Sequence, residues 1–336
     1  MKKILVTGAG GMVGFHTIEF LVKEKCYEIT ALDLNSKNTQ KKFKKYKDKI
    51  NIVYGDINDE VLINSLIKTH DYVIHLAAVL PPLADLKPEL TKQVNYEGTK
   101  NIVKAIKNYN PKCFLIFASS ISVYGDRIDN PYIKVTDKVG VNDFDIYANY
   151  KIKTEKLIKK ELDNYTIFRL TAIMGRPDMD PLMFHMPLNT KLEICSDIDT
   201  ARAFAKAVEH KGELKGKIFN LGGGKRCRTT YREFLARMFK IYGINLKFFS
   251  SMVFAEKNFH CGYYEDGDDL EKILLFRGDT LETYFRRVDM GTKKINRFFA
   301  KLLSRPIVYF LNKKSEPKKA LDKNDKGLIK RFFNKR

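Results

Sequence analysis

Two side chains with the spacing of a proton-transfer pair follow a strand-like segment near the middle of the chain. Tyr147 and Lys151 are four residues apart, so on a helix they share one face. A lysine ammonium beside a phenol lowers the pKa of the phenol toward neutrality. Such a tyrosine can exchange a proton with a substrate hydroxyl while a hydride leaves the adjoining carbon. Ser120 follows the preceding strand-like segment and could hydrogen-bond the same oxygen, so we predict that Ser120, Tyr147 and Lys151 are catalytic.

The Tyr-x-x-x-Lys spacing is a weak signal alone, because this lysine-rich chain repeats it at 96/100 and at 309/313. Position distinguishes the three pairs. Only Tyr147 opens a predicted helix soon after a strand that ends in two serines, Ser119 and Ser120. The alternative is an ordinary helix with a surface tyrosine and lysine.

A glycine-rich loop follows the first predicted strand and opens the first predicted helix. Gly8, Gly11 and Gly14 give it the spacing G-x-x-G-x-x-G, and Met12 and Val13 begin the helix. Glycines at such a junction permit a tight turn, a close approach of the backbone to a pyrophosphate, and close packing of helix on strand. The free N–H groups of the helix N-terminus favour phosphate. We therefore predict that residues 8, 11, 12, 13 and 14 contact a dinucleotide.

An acidic residue ends the second predicted strand. Asp33 lies 19 residues after Gly14, where a carboxylate can accept both hydroxyls of the adenosine ribose. It would repel a 2′-phosphate, so NAD is favoured over NADP, although the lysines of residues 37–49 could weaken that preference. The alternative is an aspartate that merely forms the turn after the strand.

Strand-like and helical patterns alternate over the first 170 residues. The predicted strands cover 4–7, 28–33, 51–54, 72–76, 113–119 and 165–170, and the predicted helices cover 12–24, 59–68, 91–107 and 146–160. This alternation predicts a Rossmann-type, doubly wound parallel sheet of the α/β class. We expect a dinucleotide-binding domain over 1–175, to which a strand at 217–221 returns, a smaller substrate lobe over 176–290, and a basic amphipathic tail over 291–336.

With these motifs in order, the chain resembles the extended short-chain dehydrogenase/reductase family, in its NAD-dependent epimerase/dehydratase branch, from Lys2 to about Arg286. The resemblance depends on 7–14, 55–57, 75–78, Asn95 with 98–99, 119–125, Tyr147/Lys151, Arg169 and 220–222. It implies that Asp56 and Ile57 lie near the adenine of NAD and that Leu76, Ala77 and Ala78 line the dinucleotide groove. It also implies that Asn95 supports the active site and that Lys151 holds the nicotinamide ribose.

Departures from the family pattern narrow the implied chemistry. Family dehydratases place an Asp-Glu pair directly after the catalytic Ser or Thr, whereas this chain has Ile121 and Ser122. Nucleotide-sugar decarboxylases carry a glutamate near the position of Ser122, and it is absent. The motif therefore resembles that of epimerases and simple oxidoreductases. Ala172 stands where the family usually has Asn, which puts one contact with a sugar nucleotide in question.

The substrate is less well defined by the sequence than the cofactor. Candidate substrate contacts are Ser122, Asn149, Arg226, Arg228 and Arg277, of which the arginines could pair with a diphosphate or could be solvated surface residues. The first hypothesis is an NAD-dependent epimerase or oxidoreductase of a sugar nucleotide. The second is a simple NAD(P)-dependent dehydrogenase or reductase of a non-nucleotide substrate, which Ala172 and the unusual loop at 176–192 favour. The third is a non-catalytic dinucleotide-binding protein.

Positive charge is concentrated at the C-terminal end. The chain of 336 residues has a net charge of +21, and residues 291–336 hold 15 Lys/Arg and 3 Asp/Glu, or +12. Phe298, Phe299, Leu302 and Leu303 share one helical face of that segment, opposite basic residues. Such a helix can lie in an anionic membrane interface; alternatively, the first helix packs on the enzyme and the rest is a solvated tail. No specific nucleic-acid contact is predicted, and the resemblance implies a homodimer through helices at 92–107 and 147–160.

The cysteines, histidines and apolar runs of the sequence indicate the cellular compartment and exclude metal sites, disulfide frameworks and membrane spans. The five cysteines include no CxxC pair, and the six histidines lack metal-ligand spacing, so we predict neither a metal nor a disulfide framework. A reducing cytoplasm is therefore expected. No apolar run approaches the roughly 20 residues of a membrane span. His75 lies within an apolar strand and is predicted to be a packed residue.

Overall fold

A seven-stranded parallel sheet forms the centre of the computed structural model, which describes residues 1–141, 145–175 and 180–334. The strands are β1 Lys2–Thr7, β2 Tyr27–Asp33, β3 Asn51–Tyr54, β4 Tyr72–His75, β5 Phe114–Ser120, β6 Tyr132–Ile133, β7 Tyr165–Leu170, β8 Ala172–Met174, β9 Lys191–Ser196, β10 Lys217–Leu221, β11 Arg228–Thr230 and β12 Tyr263–Tyr264. The sheet order is β10-β7-β5-β4-β1-β2-β3. The predicted doubly wound fold is confirmed, as is the return of 217–221, which pairs with β7.

Helices cover both faces of the sheet and build most of the C-terminal part. They are α1 Met12–Glu24, α2 Lys37–Phe43, α3 Glu60–Ile67, α4 Leu83–Leu86, α5 Pro88–Lys92, α6 Thr99–Tyr109, α7 Ile146–Glu161, α8 Asp197–Lys206, α9 Lys211–Leu214, α10 Tyr231–Tyr242, α11 Gly267–Leu274, α12 Leu281–Gly291, α13 Lys294–Leu302, α14 Ser304–Asn312, α15 Glu316–Asp322 and α16 Lys326–Phe332. The helix predicted over 91–107 is divided instead, because a π-helical segment, Gln93–Gly98, joins α5 to α6.

Successive residues of the central strands enter two separate cores. Ile4 and Val6 of β1 pack on the side covered by α1 and α8, whereas Leu5 between them packs on the side of α3, α6 and α7. All three are fully buried. Strands covered on both faces read as continuous apolar runs, which explains why the sequence pattern locates them well.

The C-terminal lobe contains a small three-stranded sheet that the sequence does not predict, in the order β11-β9-β8. The sequence predicts an irregular segment over 176–192. The structure instead has a 3₁₀ turn at 181–184 and the start of β9 at Lys191. Residues 176–179, where the predicted loop and lobe begin, lie outside the described residues. The division of the chain into three domains stays a prediction.

The tail is folded rather than solvated beyond its first helix. Val308, Leu311, Phe332 and Phe333 are buried, so the expectation of a solvated tail is wrong for α14 to α16, whose apolar sides cover the lobe. By contrast, α13 contains no buried residue. Across the described ranges, no helix is both long and apolar enough to cross a membrane.

Candidate active site

The glycine-rich loop packs too closely for side chains. Gly8 has φ +65°, and a Cβ there would lie 2.7 Å from the backbone nitrogen of Ala77. A Cβ on Gly14 would lie 2.2 Å from the carbonyl oxygen of Gly8, and one on Gly11 would lie 3.0 Å from the same atom. Gly11 caps α1 without any side-chain hydrogen bond to the helix N-terminus. The loop thus places a backbone that a ligand can approach closely beside the N-terminal turn of α1.

The two residues that open α1 have different surroundings. Met12 is 43% exposed, and its sulfur lies where a Cβ on Gly175 would be. Val13 is half-buried against the core. Both predicted cofactor contacts therefore lie at the start of the helix, with Met12 open to a ligand and Val13 partly committed to packing.

Asp33 faces the glycine loop across the sheet edge. Its Oδ2 accepts the N–H of Gly10 at 2.7 Å and its Oδ1 accepts the N–H of Leu34 at 2.7 Å. Lys42, from the lysine-rich segment 37–49, donates to the carbonyl oxygen of Gly10 at 2.6 Å. One lysine of that segment therefore lies beside the glycine loop, where it is bonded to backbone.

The loops after β3 and β4 complete the predicted groove. Leu76, Ala77 and Ala78 are half-buried and directly follow β4, and the N–H of Leu76 bonds the carbonyl of Thr7 at 3.2 Å. Asp56 is exposed, while Ile57 is buried against Gly98. The loops therefore stand at the carboxyl edge of the sheet, where ligands of such folds bind.

Asn95 secures the segment that follows Ala78. Its amide accepts the N–H of Val79 at 2.7 Å and donates to the carbonyl of Val79 at 2.9 Å. Its own carbonyl accepts the hydroxyls of Thr99 and Thr154, at 3.1 and 3.0 Å. Asn95 is buried, so it positions backbone from inside the protein, and its support of the active site stays a prediction.

His75 is a packed histidine, as predicted. Its Nδ1 bonds the hydroxyl of Thr7 at 2.6 Å and its Nε2 bonds that of Thr99 at 2.8 Å. Burial, together with the charge of Lys151, lowers the pKa of His75 to about 3. The ring is therefore neutral at physiological pH.

The three predicted catalytic residues lie on two adjoining elements. Ser120 ends β5, and Tyr147 and Lys151 lie on the first turns of α7, which Asp145 caps by accepting the N–H of Ala148 at 2.8 Å. The Lys151 ammonium donates to the carbonyl oxygen of Ala118 at 2.6 Å and lies 5.6 Å from the centre of the Tyr147 ring. Both Tyr147 and Lys151 are buried.

The charge states in this cluster differ from the sequence-based expectation. Burial raises the pKa of Tyr147, although hydrogen bonding to Ser120 opposes that rise. Burial also lowers the pKa of Lys151 to about 7, which Glu155 partly opposes. The prediction that Lys151 brings the Tyr147 pKa toward neutrality is therefore wrong for the chain by itself, because burial raises that pKa and the Lys151 ammonium donates to Ala118.

A buried ion pair supports α7, and sequence reasoning missed its glutamate. Glu155 accepts the Ser119 hydroxyl at 2.5 Å and two N–H groups of Arg169, at 3.0 and 2.7 Å. Arg169 also donates to the Tyr124 hydroxyl at 2.8 Å, which in turn donates to Asn220 at 2.7 Å. The only sequence signal was the spacing of Glu155 one turn after Lys151.

The two candidate substrate residues near Ser120 and Tyr147 are placed differently. Ser122 is fully buried, and its hydroxyl has no hydrogen-bond partner among the described residues. Buried polar groups are normally paired, so this enclosed hydroxyl is an exception. Asn149 is exposed on α7.

Two of the three candidate arginines are already hydrogen-bonded within the chain. Arg228 donates to buried Glu193 at 2.7 Å and to the carbonyl of Tyr264 at 2.6 Å. Arg277 donates to the carbonyls of Gly222 and Gly267, both at 2.8 Å, and pairs with Asp268. A substrate phosphate would have to compete with these partners. Arg226 is exposed and is free of that competition.

The end of the chain folds back toward the N-terminal cap of α7. Arg331 pairs with Asp85 at 3.4 Å, and the Phe332 ring lies 4.9 Å from that of His185. These residues line a cavity of about 50 Å³ together with Asp145.

Within the described ranges, no group of three His, Cys, Asp or Glu side chains is arranged to hold a metal ion.

A model of the NAD dependent epimerase/dehydratase family matches residues 4–222, well over half of the 336 residues. The chain belongs to the NAD-dependent epimerase/dehydratase family. NAD is therefore its cofactor class, and this family member carries the glycine loop, Asp33 and the Ser-Tyr-Lys set on the elements described above.

Curated relatives of this epimerase/dehydratase match it in part. A dTDP-glucose 4,6-dehydratase of Mycolicibacterium smegmatis is 30% identical over 171 residues, 49% of this chain and 50% of the relative. A UDP-N-acetyl-alpha-D-glucosaminuronate decarboxylase of Bacillus cytotoxicus is 32% identical over 178 residues, 52% of each. The chain thus spans about half the length of these two relatives.

The solved UDP-glucuronic acid 4-epimerase of Bacillus cereus, in complex with UDP-glucuronic acid and NAD, has a TM-score of 0.71 at 18% identity. It covers 86% of this chain and 99% of its own. At that identity the likeness establishes the shared fold.

The residues of this chain fit a dinucleotide. A Cβ at Gly8 or Gly14 would meet backbone at 2.7 and 2.2 Å, so no side chain blocks the approach of a pyrophosphate to the first turn of α1. Asp33 lies at the end of β2, where it can contact a ribose. Each carboxylate oxygen of Asp33 already accepts one hydrogen bond, from the N–H of Gly10 or of Leu34. Each oxygen can still accept a second hydrogen bond.

Proposed function

We propose that this protein is an NAD-dependent epimerase or oxidoreductase that acts on a hydroxyl or keto group of a sugar nucleotide. One observation carries the proposal: Ser120, Tyr147 and Lys151 meet at the carboxyl edge of the sheet, with the Lys151 ammonium fixed on Ala118 at 2.6 Å. The fold of the family supports it.

In the proposed reaction, Tyr147 in its phenolate form accepts the proton of a substrate hydroxyl and becomes a neutral phenol. Ser120 donates a hydrogen bond to the same substrate oxygen and so orients it, and Lys151 in its ammonium form stabilises the phenolate. NAD, when bound, supplies the acceptor for the hydride that leaves the substrate carbon. An epimerase would return the hydride to the opposite face of the resulting ketone, whereas a dehydrogenase would release the ketone.

Elimination and decarboxylation are disfavoured by the residues beside Ser120. Ile121 is buried and apolar, so it cannot serve as the acid that a dehydratase uses, and the buried Ser122 hydroxyl offers no carboxylate. The curated dehydratase and decarboxylase are therefore relatives by fold and family rather than guides to this reaction.

A second candidate is a simple NAD(P)-dependent dehydrogenase or reductase of a non-nucleotide substrate. The engagement of Arg228 by Glu193 and of Arg277 by Asp268 favours it, since neither arginine is free for a diphosphate. A relative of this kind is the D-erythronate dehydrogenase of Haemophilus influenzae, 25% identical over 185 residues. A non-catalytic dinucleotide-binding protein is the third hypothesis.

Mass spectrometry of the nucleotide released on denaturing the purified protein separates these candidates. Retained NAD or NADH supports an epimerase, since the cofactor is regenerated within each turnover. Reversible binding without retention supports a dehydrogenase. If neither NAD(H) nor NADP(H) binds, the proposal fails.

Tyr147→Phe tests the assigned chemistry once a substrate is found among sugar nucleotides. We expect a loss of about 10²–10⁴-fold in kcat with NAD binding retained. Tyr150→Phe, on the same helix, is the matched control and should retain activity. Equal activity of Tyr147→Phe and the wild type would exclude Tyr147 as the proton acceptor.

Dimerisation through 92–107 and 147–160, and a cytoplasmic location, stay predictions.

A further inference from the structure

The helix pair α13–α14 presents an unusually apolar face to solvent. In α13, Ile295, Phe298, Phe299 and Leu302 are 58, 64, 51 and 73% exposed. Their spacing of i, i+3, i+4 and i+7 places them on one side of the helix. Leu303, Tyr309 and Phe310 are 49, 58 and 64% exposed. We call these seven residues the outer face.

The helix α13 is held by its polar side. Arg297 and Ala300 are its only partly buried residues, and its backbone passes close to Gly243, where a Cβ would lie 2.4 Å from the carbonyl oxygen of Arg297. The next anchor is buried Ser304, whose hydroxyl accepts the N–H of Asn245 at 3.3 Å. A helix that turns its phenylalanines away from the protein gains nothing from them in the isolated chain, so the outer face is suited to a partner.

The charged residues of the segment that carries the outer face have one sign. Residues 291–314 contain seven Lys/Arg and no Asp or Glu. Arg297 pairs with Asp289, but among the described residues no carboxylate forms an ion pair with Lys293, Lys294, Lys301 or Arg305. The outer face is thus an apolar strip flanked by uncompensated positive charge.

We propose that α13 and α14 form a docking surface for an anionic lipid bilayer. The seven apolar side chains of the outer face enter the boundary between headgroups and acyl chains, and the flanking lysines and arginines contact the lipid phosphates. Basic helices with Phe and Leu on one side bind membrane interfaces in this way, and each basic residue near an anionic surface contributes about 1 kcal/mol, or roughly fivefold in binding.

Charge complementarity favours a bilayer over a second copy of the chain. A twofold contact through the outer face would bring the seven basic residues of one copy against the seven of the other with no acidic residue of the segment between them. An anionic lipid surface has the opposite sign and the matching apolar layer.

Vesicle flotation of the full chain with bound NAD tests the proposal, because NAD retention reports that each variant is folded. The vesicles are phosphatidylcholine alone and phosphatidylcholine with phosphatidylglycerol. We expect binding to need phosphatidylglycerol. Lys294→Glu/Lys301→Glu should weaken it at least ~25-fold, and Phe298→Ser/Phe299→Ser at least ~10-fold.

Two matched controls separate this surface from net charge and general hydrophobicity. Lys47→Glu/Lys49→Glu changes exposed lysines of the other basic cluster by the same charge, and Val61→Ser/Tyr109→Ser removes two exposed apolar residues elsewhere. Both controls should bind nearly as the wild type does. Equal weakening by the control variants, or no phosphatidylglycerol-dependent binding, would overturn the proposal. It would also be overturned by a dimer in sedimentation velocity that Phe298→Ser/Phe299→Ser dissociates while vesicle binding is absent.

Discussion

The buried pair of Glu155 and Arg169 lends itself to a test by a single amide substitution. Glu155→Gln keeps the size of the side chain but removes the charge that accepts two N–H groups of Arg169, at 3.0 and 2.7 Å, and the Ser119 hydroxyl at 2.5 Å. Both side chains are 5% exposed, so solvent cannot replace the lost partner.

The expected loss of stability follows from that burial. Removing one partner of a buried ion pair leaves an uncompensated charge and destabilises by about 3–5 kcal/mol. Replacing both charges avoids the uncompensated ion, so Glu155→Gln/Arg169→Met should be less destabilised than the sum of the two single variants by several kcal/mol. Glu155 also opposes the drop in the Lys151 pKa. In Glu155→Gln the Lys151 ammonium should therefore lose its proton at a lower pH, and the alkaline limb of the activity profile should move to lower pH.

Urea unfolding at pH 7, followed by circular dichroism with NAD removed, measures the first effect, and a pH profile of turnover measures the second. Glu161→Gln, which breaks the surface pair with Lys107, is the control and should leave the unfolding midpoint unchanged. Two results would refute the reasoning: a Glu155→Gln variant as stable as the control, or a double variant whose loss equals the sum of the singles.

Three further outcomes follow from the same geometry. His75 has a pKa of about 3 when folded and about 6.5 when unfolded. Between these pH values the unfolded state binds more protons than the folded state. The free energy of unfolding should therefore fall by about 2 kcal/mol on acidification from pH 7 to 5. His75→Gln, which cannot protonate, should lose that component in urea titrations at both pH values. Gly14→Ala, whose Cβ would lie 2.2 Å from the Gly8 carbonyl, should lose NAD in equilibrium dialysis, whereas Gly212→Ala, with nothing within 4 Å, should retain it. Asp33→Asn should weaken NAD more than NADP in the same dialysis, since the carboxylate repels a 2′-phosphate; an unchanged ratio would contradict its role.

The central sheet and the cofactor loop could be predicted because the sequence pattern of each lies within a few consecutive residues. Strands buried on both faces, such as β4 and β7, are short apolar runs whose ends the sequence gives to within a residue or two. The glycine loop could be predicted for the same reason. Each glycine packs against backbone of the same βα junction or of the start of another loop, as Gly8 does against Ala77.

The missed parts depend on partners that are distant in sequence. The strand β9 contains Glu193, a residue that reads as exposed, yet it is fully buried because Arg228 pairs with it. The direction of the Tyr147 pKa shift was mispredicted because burial by surrounding elements, which no local pattern shows, raises that pKa. The packing of Phe332 against His185, 147 residues earlier, likewise has no local signal.

The edge position of β10 bears on how the chain folds while it is being synthesised. The six other strands of the sheet come from residues 2–170 and are contiguous in the order β7-β5-β4-β1-β2-β3, so they can pair before Lys217 has left the ribosome. At roughly 5–20 residues per second, the glycine loop and the Ser-Tyr-Lys set can assemble seconds ahead of the last strand. During that interval the backbone of β7 is an unpaired edge, which is a template for association with other chains. The binding of β10 both closes that edge and supplies Asn220 to the Arg169 network, so the finished sheet and the support of α7 are completed in one step.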